Sequence, residues 1–358
     1  MADAFVALPG AVFDEVGLVH LGSPMREQRA LAAGTAVAPL SDRRVLTVAG
    51  EDRLTWLDSI TSQAVARLQP GESSELLVLD PHGHVEHAAA VVDDGTRTWL
   101  IVDETDAEGL LTFLTRMRFR LRVDPQDVSA AHRVIGGTAD ATASLDAVAV
   151  WQDPWPAVRT GGWGYAATDP HPGAERDWSE AVITASAYEV LAASRAPESI
   201  AGRLAADALR IAAWRPRVAA EADERTLPHE VDWLRTAIHL EKGCYRGQET
   251  VAKVHNLGHP PRRLAALHLD GSDAELPSPG AEVRRDGEAV GAITSVARHF
   301  EEGPIALALL KRTVPVDAAL TVALDGEGEV AAAQEQIVPP DAGRTASIPR
   351  MPRLSRRR

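Results

Sequence analysis

The sequence predicts an α+β protein that ends in a small antiparallel β-barrel. The first observation is length, because 358 residues are too many for one hydrophobic core and require two or three domains. The second is that apolar residues before residue 258 recur at both helical and strand spacing. The third is that the chain from Leu264 onward contains short apolar segments broken by Gly and Pro, a pattern typical of small barrels.

The body, residues 1–258, is predicted to form two α+β subdomains with a boundary near residues 125–150. An arrangement in which segments of the two subdomains interleave is compatible with this prediction. Helices are predicted from apolar residues three or four apart, at 24–33, 54–60, 105–117 and 200–214. Strands are predicted at 45–49, 76–79, 85–92, 99–102, 119–123 and 182–191. In strand 119–123 the apolar residues alternate with arginines, so this strand should have one buried and one basic face.

The second domain, residues 259–340, should be the barrel, and His259-Pro260-Pro261 is the predicted linker to it. Its strands are predicted at 264–269, 281–284, 289–296, 305–310 and 319–324. The last segment, 341–358, has no acidic residue after Asp341 and no apolar periodicity, so it is expected to be a disordered basic tail. Residues 344–358 fit either a solubilising extension or an arm that binds nucleic acid or another acidic partner.

Composition excludes some classes of function. The net charge of −14 argues against broad nucleic-acid binding by the body, since a phosphate backbone needs a cationic surface. No apolar run approaches the roughly 20 residues that span a bilayer, and the first residues carry no signal-peptide pattern. A single cysteine excludes an internal disulfide framework. We therefore expect a cytoplasmic protein without a membrane partner.

The segment with the most evident chemistry is Lys242-Gly243-Cys244-Tyr245-Arg246-Gly247-Gln248-Glu249, here called the signature. Its two glycines allow positive φ or a close approach to a ligand. Cys244 lies between two cations, which favour the reactive thiolate, and Gln248 and Glu249 can bond the edge of a heterocycle. Lys242 is one of only three lysines in a chain with 37 basic residues, which suggests a position that needs a compact ammonium. The alternative is a glycine-flanked turn with an inert cysteine.

The signature resembles the KGCYxGQE motif of the YgfZ-type folate-binding proteins. These belong to the superfamily of the glycine-cleavage T-protein (GcvT), an aminomethyltransferase. Weaker similarities follow in the family's order over about residues 30–325, at Val48–Asp52, Gly83-His84-Val85, Ala187–Val190, Ala208–Ile211, Pro228-His229-Glu230 and Gly291–Ser295.

The resemblance implies a three-domain ring around a central channel that accepts tetrahydrofolate or a folate derivative. In the family the pterin is bound by a carboxylate, and Glu189 matches that position on a strand. The glutamyl tail of a folate needs cations, for which Arg210, Lys242 and Lys253 are the candidates. The remaining folate-binding candidates are signature residues, namely Tyr245, Gly247, Gln248 and Glu249. Cys244 is the candidate functional thiol, with Lys242 beside it.

Two departures from the family bear on catalysis. Aminomethyltransferases have an acidic pair, including the catalytic aspartate, just after the strand opening that Gly83-His84-Val85 resembles. Here Glu86 and His87 follow, so the aspartate is missing. Ala212 also replaces the glutamate of the T-protein helix. Ordinary aminomethyl transfer is therefore not expected, and whether the chain is an enzyme stays open; His87 fits either an acid–base or a structural role.

Three functions remain. The resemblance implies a folate-dependent accessory factor for iron–sulfur cluster assembly or repair, with iron–sulfur proteins or assembly factors as partners and an indirect effect on tRNA modification. One cysteine cannot hold a cluster, which usually takes four thiolates, so no metal site is assigned and Cys244 could be only a transient ligand. The alternatives are a folate-dependent one-carbon transferase or demethylase, and a folate-storage or scaffold module without chemistry.

Overall fold

The computed structural model describes residues 3–166, 168–271, 275–326 and 328–346. Its α-helices are α1 Pro24–Ala32, α2 Arg53–Ile60, α3 Glu104–Met117, α4 Ala139–Ala143, α5 Ala185–Ser194, α6 Arg203–Ala212, α7 Val218–Glu221 and α8 Gln248–Leu257. The first eleven strands are β1 Val12–Phe13, β2 Leu18–His20, β3 Ala38–Pro39, β4 Arg43–Ala49, β5 Ser73–Leu79, β6 Val85–Asp93, β7 Arg97–Asp103, β8 Asp124–Asp127, β9 His132–Gly137, β10 Ala147–Gln152 and β11 Ser179–Thr184. The remaining strands are β12 Arg262–Leu269, β13 Glu282–Arg285, β14 Glu288–His299, β15 Gly303–Lys311, β16 Leu320–Ala323 and β17 Glu329–Gln336.

The described part of the body contains a two-stranded sheet of β1 and β2 and two larger antiparallel sheets. One has five strands in the order β5-β6-β7-β4-β8, and helices α2 and α3 supply apolar side chains to its core. The other has four strands in the order β10-β11-β9-β3. Strand β3 precedes the five-stranded sheet in the chain but pairs with β9 after it, so the two units interleave. A further apolar cluster joins side chains from both sheets, including Trp99, Val134 and Val182.

The C-terminal strands form a closed antiparallel barrel in the order β12-β15-β14-β13-β16-β17, with β17 pairing back to β12. The predicted α+β class and terminal barrel are confirmed. The sixth strand, β17, was not predicted, because its EVAAAQEQ segment has only Val330 and Ala332 buried and is rich in alanine and glutamate, which are depleted in strands. The domain boundary after residue 258 stays a prediction.

The predicted strand at 119–123 is wrong. These residues form a turn in which Phe119 has a φ of 45° and both Phe119 and Leu121 are exposed. The reason lies in the neighbouring strand: β4 ends at Ala49, whose partner is Asp124, so residues 119–122 have no strand edge to pair with. The alternation of arginine with apolar residues therefore marks an exposed loop and not a half-buried strand.

The predicted strand at 182–191 is also wrong in its second half. Strand β11 ends at Thr184, and helix α5 begins at Ala185. The Thr184 hydroxyl accepts a hydrogen bond from the N–H of Ala187 at 3.1 Å, which caps the helix. The alanine-rich sequence that follows has high helix propensity. Glu189 is consequently on a helix.

The basic tail was predicted to begin at residue 341, but its first residues are docked. Ala342 is buried, and the backbone N–H groups of Thr345 and Ala346 donate to the carbonyl oxygens of His255 and Asn256 at the end of α8, at 3.0 and 3.2 Å. Residues 347–358 lie outside the described part of the chain, so the prediction for them is untested. Among the residues that are described, no helix has the length and apolar character needed to cross a membrane.

Candidate functional site

The signature forms a tight turn followed by the first residues of α8. Gly247 occupies the N-cap position with a φ of 82°, and an added Cβ there would lie 2.6 Å from the carbonyl oxygen of Asp80. Gly83 faces it across the gap with a φ of 85°, and its Cβ would lie 2.8 Å from the Cβ of Thr250. Larger residues would push the two turns apart, so the glycines hold the signature against the start of β6.

Lys242 is a structural residue of this turn. Its side chain is 4% exposed, and the ammonium donates to the carbonyl oxygens of Thr61 and Gln63, each at 2.9 Å, and to that of Asp58 at the end of α2. Burial lowers its pKa, although the Asp58 carboxylate at 3.6 Å opposes that effect. All three donors of the ammonium are used within the protein. Lys242 therefore anchors the signature to the C-terminus of α2, where a cation is favoured.

The other signature residues differ in exposure. Cys244 and Glu249 are exposed, whereas Tyr245 packs in the core, where burial raises the pKa of its phenol. The Gln248 amide donates to the carbonyl oxygen of Lys242 at 3.4 Å. The Arg246 guanidinium pairs with the Glu86 carboxylate at 2.6 Å. The two cations that flank Cys244 are thus both committed to other acceptors.

A cavity of about 900 Å³, here called the signature cleft, lies between the start of β6, helix α3 and the signature. Its lining includes one signature residue and also the segment at and after α7, which adds the carboxylates of Asp223 and Glu224. From β6 and the turn before it come Asp80, His84, Glu86 and His87; from α3 come Thr112, Phe113 and Arg116; the signature contributes Arg246.

His87 is held in the cleft by a carboxylate. The Asp106 side chain accepts from the Nδ1 of His87 and from the backbone N–H of Ala88, the latter at 3.1 Å. Gly109 makes room for the ring, because a Cβ at that position would lie 2.7 Å from the His87 Cε1. A carboxylate acceptor keeps the proton on Nδ1 and leaves Nε2 with no protein partner in the described part of the chain. The pair has the geometry of an oriented acid–base group.

The centre of the body is filled by buried ion pairs. Arg215 lies between the carboxylates of Glu75 and Asp153, at 2.8 and 3.2 Å, and Arg176 pairs with the same Asp153 at 3.0 Å. Burial opposes ionisation of Asp153, but the two arginines hold its pKa below the usual value. The cavity that remains among these side chains is about 70 Å³, which is room for a few water molecules.

A second large cavity, of about 980 Å³, lies between α6 and strand β14 and includes Leu204, Asp207, Val290 and Thr294 in its lining. Arg210 lies beside it. Its guanidinium donates to Glu221 at 3.0 Å, to the Ser295 hydroxyl at 2.7 Å and to the carbonyl oxygen of Arg215 at 2.8 Å. Arg210 is therefore a buried link between the body and the barrel.

Comparison with known proteins agrees with this architecture. No family model matches the chain. The glycine-cleavage aminomethyltransferase T of Bartonella henselae superposes with a TM-score of 0.67 at 16% identity, over 94% of this chain and 95% of that one. The chain has the aminomethyltransferase fold. The aminomethyltransferase of Synechococcus sp. (strain RCC307) is 25% identical over 316 residues, which are 80% of this chain and 82% of that protein.

A putative chloroplastic transferase of Arabidopsis thaliana is 37% identical over 98 residues, and the match spans 26% of this chain but only 21% of the plant protein. Together the Synechococcus and Bartonella similarities support the GcvT superfamily. They do not distinguish a YgfZ-type group within it.

The structure does not gather the folate-binding residues that the resemblance implied. Glu189 is exposed on α5 and lines neither large cavity, and Lys253 is exposed on α8. Lys242 and Arg210 are committed to internal acceptors. Instead, the signature cleft is lined in part by residues that the sequence did not single out, such as Phe113 and Arg116. One sequence signal could have indicated this cleft, because the spacing of Asp106, Gly109 and Phe113 places them along one face of α3.

Proposed function

We propose that this protein binds tetrahydrofolate or a related folate in the signature cleft and serves as an accessory factor of the YgfZ type for iron–sulfur enzymes. One observation carries the proposal. The opening of β6, one of the weaker similarities to the family, and Arg246 of the signature lie at the walls of a single cavity of about 900 Å³. That volume lies within the range of small-molecule sites.

The side chains in the cleft fit the chemistry of a folate. Pterin N–H groups need a carboxylate acceptor, which Asp80 and Glu86 offer, and an aromatic ring system can pack on Phe113. The anionic glutamate of the ligand needs a cation, which Arg116 supplies, whereas Arg246 is paired with Glu86. The central cavity of about 70 Å³ is too small for a pterin. When bound, the folate would supply a carrier for one-carbon groups.

Cys244 has the position that the accessory role requires. Its thiol is exposed two residues from the cleft-lining Arg246, so a partner protein can reach it. A single thiolate would contribute one ligand to a cluster that the partner otherwise holds. An effect on tRNA modification would follow indirectly, through an iron–sulfur enzyme of that pathway. The cytoplasmic placement stays a prediction; the name of the Arabidopsis relative refers to the chloroplast.

A one-carbon transferase or demethylase is the second candidate, and the pairing of His87 with Asp106 favours it. His87 follows the β6 opening, where the resemblance places the acidic pair of aminomethyltransferases, and with Asp106 as its acceptor it can take a proton from a nucleophile in the cleft. Turnover of methylene-tetrahydrofolate that is lost on His87→Asn but kept in Cys244→Ser would support this candidate over the accessory role.

The accessory role predicts that cells without this protein lose activity of a subset of iron–sulfur enzymes, and that the parent gene restores it. Cys244→Ser should fail to restore it while melting near the parent, because the exposed thiol contributes little to packing. Gly243→Ala is the matched control, since its added Cβ meets no atom within 4 Å. Full restoration by Cys244→Ser would remove the thiol from the function, and unchanged enzyme activities in the null cells would reject the accessory role.

A further inference from the structure

The last two residues of α3 and the turn after it carry a concentration of positive charge that the proposed folate site leaves mostly unused. Residues 116–122 read RMRFRLR, with four arginines in seven positions of a chain whose net charge is −14. We call these residues the arginine loop. Arg116 and Met117 also line the signature cleft, so the arginine loop begins at the wall of that cavity.

The loop exposes apolar side chains between its arginines. Met117 is 42% exposed, Phe119 87% and Leu121 46%. Phe119 also has a φ of 45°, a left-handed conformation that is uncommon for a bulky residue. Unfavourable backbone conformations cluster at functional sites, and adjacent exposed apolar side chains offer a surface to a ligand.

Most of the positive charge in the loop is available to a ligand. Arg122 pairs with Glu51 and with Asp52, the latter at 3.3 Å. Arg118 is 3.9 Å from Asp124, and both side chains are about half exposed, so this pair is weak. Within the described ranges, Arg116 and Arg120 have no ion pair with a carboxylate.

We propose that the arginine loop binds the polyglutamate chain of a folate whose pterin lies in the signature cleft. The inference rests on the proposed function. Each added γ-linked glutamate brings one carboxylate, and arginine is the side chain best suited to carboxylates. The aminobenzoyl ring that precedes the glutamates is apolar, which matches Met117 and Phe119 at the start of the loop. The chain therefore selects polyglutamylated folates over the monoglutamate.

The continuity of the loop with the cleft supports this ligand over a separate partner. Only one residue lies between Met117, which lines the cleft, and Phe119, and Arg120 follows directly. A ligand that extends out of the cleft passes along this stretch, because consecutive residues are only about 3.8 Å apart. An acidic segment of a partner protein is the alternative ligand for the same charge, and a comparison of folates with different numbers of glutamates separates the two.

The test is calorimetry of the full chain with tetrahydrofolate and with its pentaglutamate, at low and at high salt. The parent should bind the pentaglutamate about tenfold more tightly at low salt, which corresponds to a few exposed ion pairs, and the advantage should shrink at high salt. Arg118→Gln combined with Arg120→Gln should abolish the advantage and leave monoglutamate affinity unchanged. Arg67→Gln combined with Arg285→Gln removes the same charge from exposed positions that do not line the cleft, and it should keep the advantage.

The outcomes distinguish the role of the arginine loop from the proposed folate-binding function. Equal affinity of the parent for both folates would overturn the role of the loop while keeping the proposed function, and would leave the loop to an acidic partner protein. The role of the loop would also be overturned if both double variants reduce the advantage equally, because the effect would then be one of net charge. If neither folate binds the parent, the proposed function itself fails. Thermal melting of both variants verifies folding, and little change is expected because all four arginines are exposed.

Discussion

Arg215→Met should lower the free energy of unfolding by about 3–5 kcal/mol. The Arg215 side chain is 8% exposed and is the shared partner of two buried carboxylates, those of Glu75 and Asp153. It also stacks over Trp155 at 5.0 Å from the ring centroid. Methionine keeps much of the side-chain volume, so the loss reflects the uncompensated carboxylates and not a large cavity.

The control is Arg44→Met, which removes an arginine from an exposed pair. Arg44 and Glu104 are each 42% exposed, so this substitution should cost less than about 1 kcal/mol. Urea unfolding of the two variants and the parent gives the comparison. If the free energy of unfolding of Arg215→Met lies within about 1 kcal/mol of the parent's, the ion pairs at the centre of the body do not stabilise the fold.

Lowering the pH should reduce the difference in free energy of unfolding between Arg215→Met and the parent. The pKa of Asp153 is lowered in the folded parent, so its charged form stabilises the protein above its ordinary pKa of 3.8, and that contribution is lost as the pH falls. In the variant the buried Asp153 carboxylate keeps only one of its two arginine partners. Its protonation at low pH therefore removes a charge that is poorly compensated in the folded state. Unfolding curves taken between about pH 7 and pH 3 measure this convergence.

Lys242→Met should lower the free energy of unfolding by about 2–4 kcal/mol, because three carbonyl oxygens at the end of α2 would lose their donor in a buried site. Methionine can replace the aliphatic stem but supplies no N–H group. Lys253→Met is the matched control: it removes the same side chain from an exposed position eleven residues along, and should change stability by less than about 0.5 kcal/mol.

Thermal and urea unfolding distinguish a structural Lys242 from a ligand-binding one. A Lys242→Met protein as stable as the parent but unable to bind folate would show that the ammonium serves the ligand and not the turn. The structure predicts the opposite result. Lys242→Met should lose stability, and any weaker folate binding should follow only from displacement of the signature.

The elements whose formation depends on residues close together in the chain could be predicted from the sequence. The hairpin of β6 and β7 and five of the six barrel strands follow from alternating apolar residues between turns. Where two neighbouring signals competed, the prediction failed: the apolar run 182–191 was interpreted as one strand, although Thr184 caps a helix within it.

Contacts between distant residues could not be predicted. Lys242 meets α2 about 180 positions earlier in the chain, and Arg215 meets Glu75 140 positions away. No local pattern distinguishes such an arginine from one exposed to solvent. The signature itself was recognised, but its resemblance to a family motif did not reveal that Lys242 faces inwards or that Arg246 reaches Glu86.

The central claim is that the signature cleft binds folate, and calorimetry with cleft-filling variants tests it most directly. The parent should bind tetrahydrofolate with a Kd in the micromolar range or below, a binding free energy of about −8 kcal/mol or stronger. Thr112→Trp places an indole in the cleft from an exposed position of α3 and should weaken binding at least tenfold. Val290→Trp fills the second cavity in the same way and should leave binding unchanged. No heat from the parent at millimolar ligand, or a loss of binding in Val290→Trp and not in Thr112→Trp, would contradict the claim.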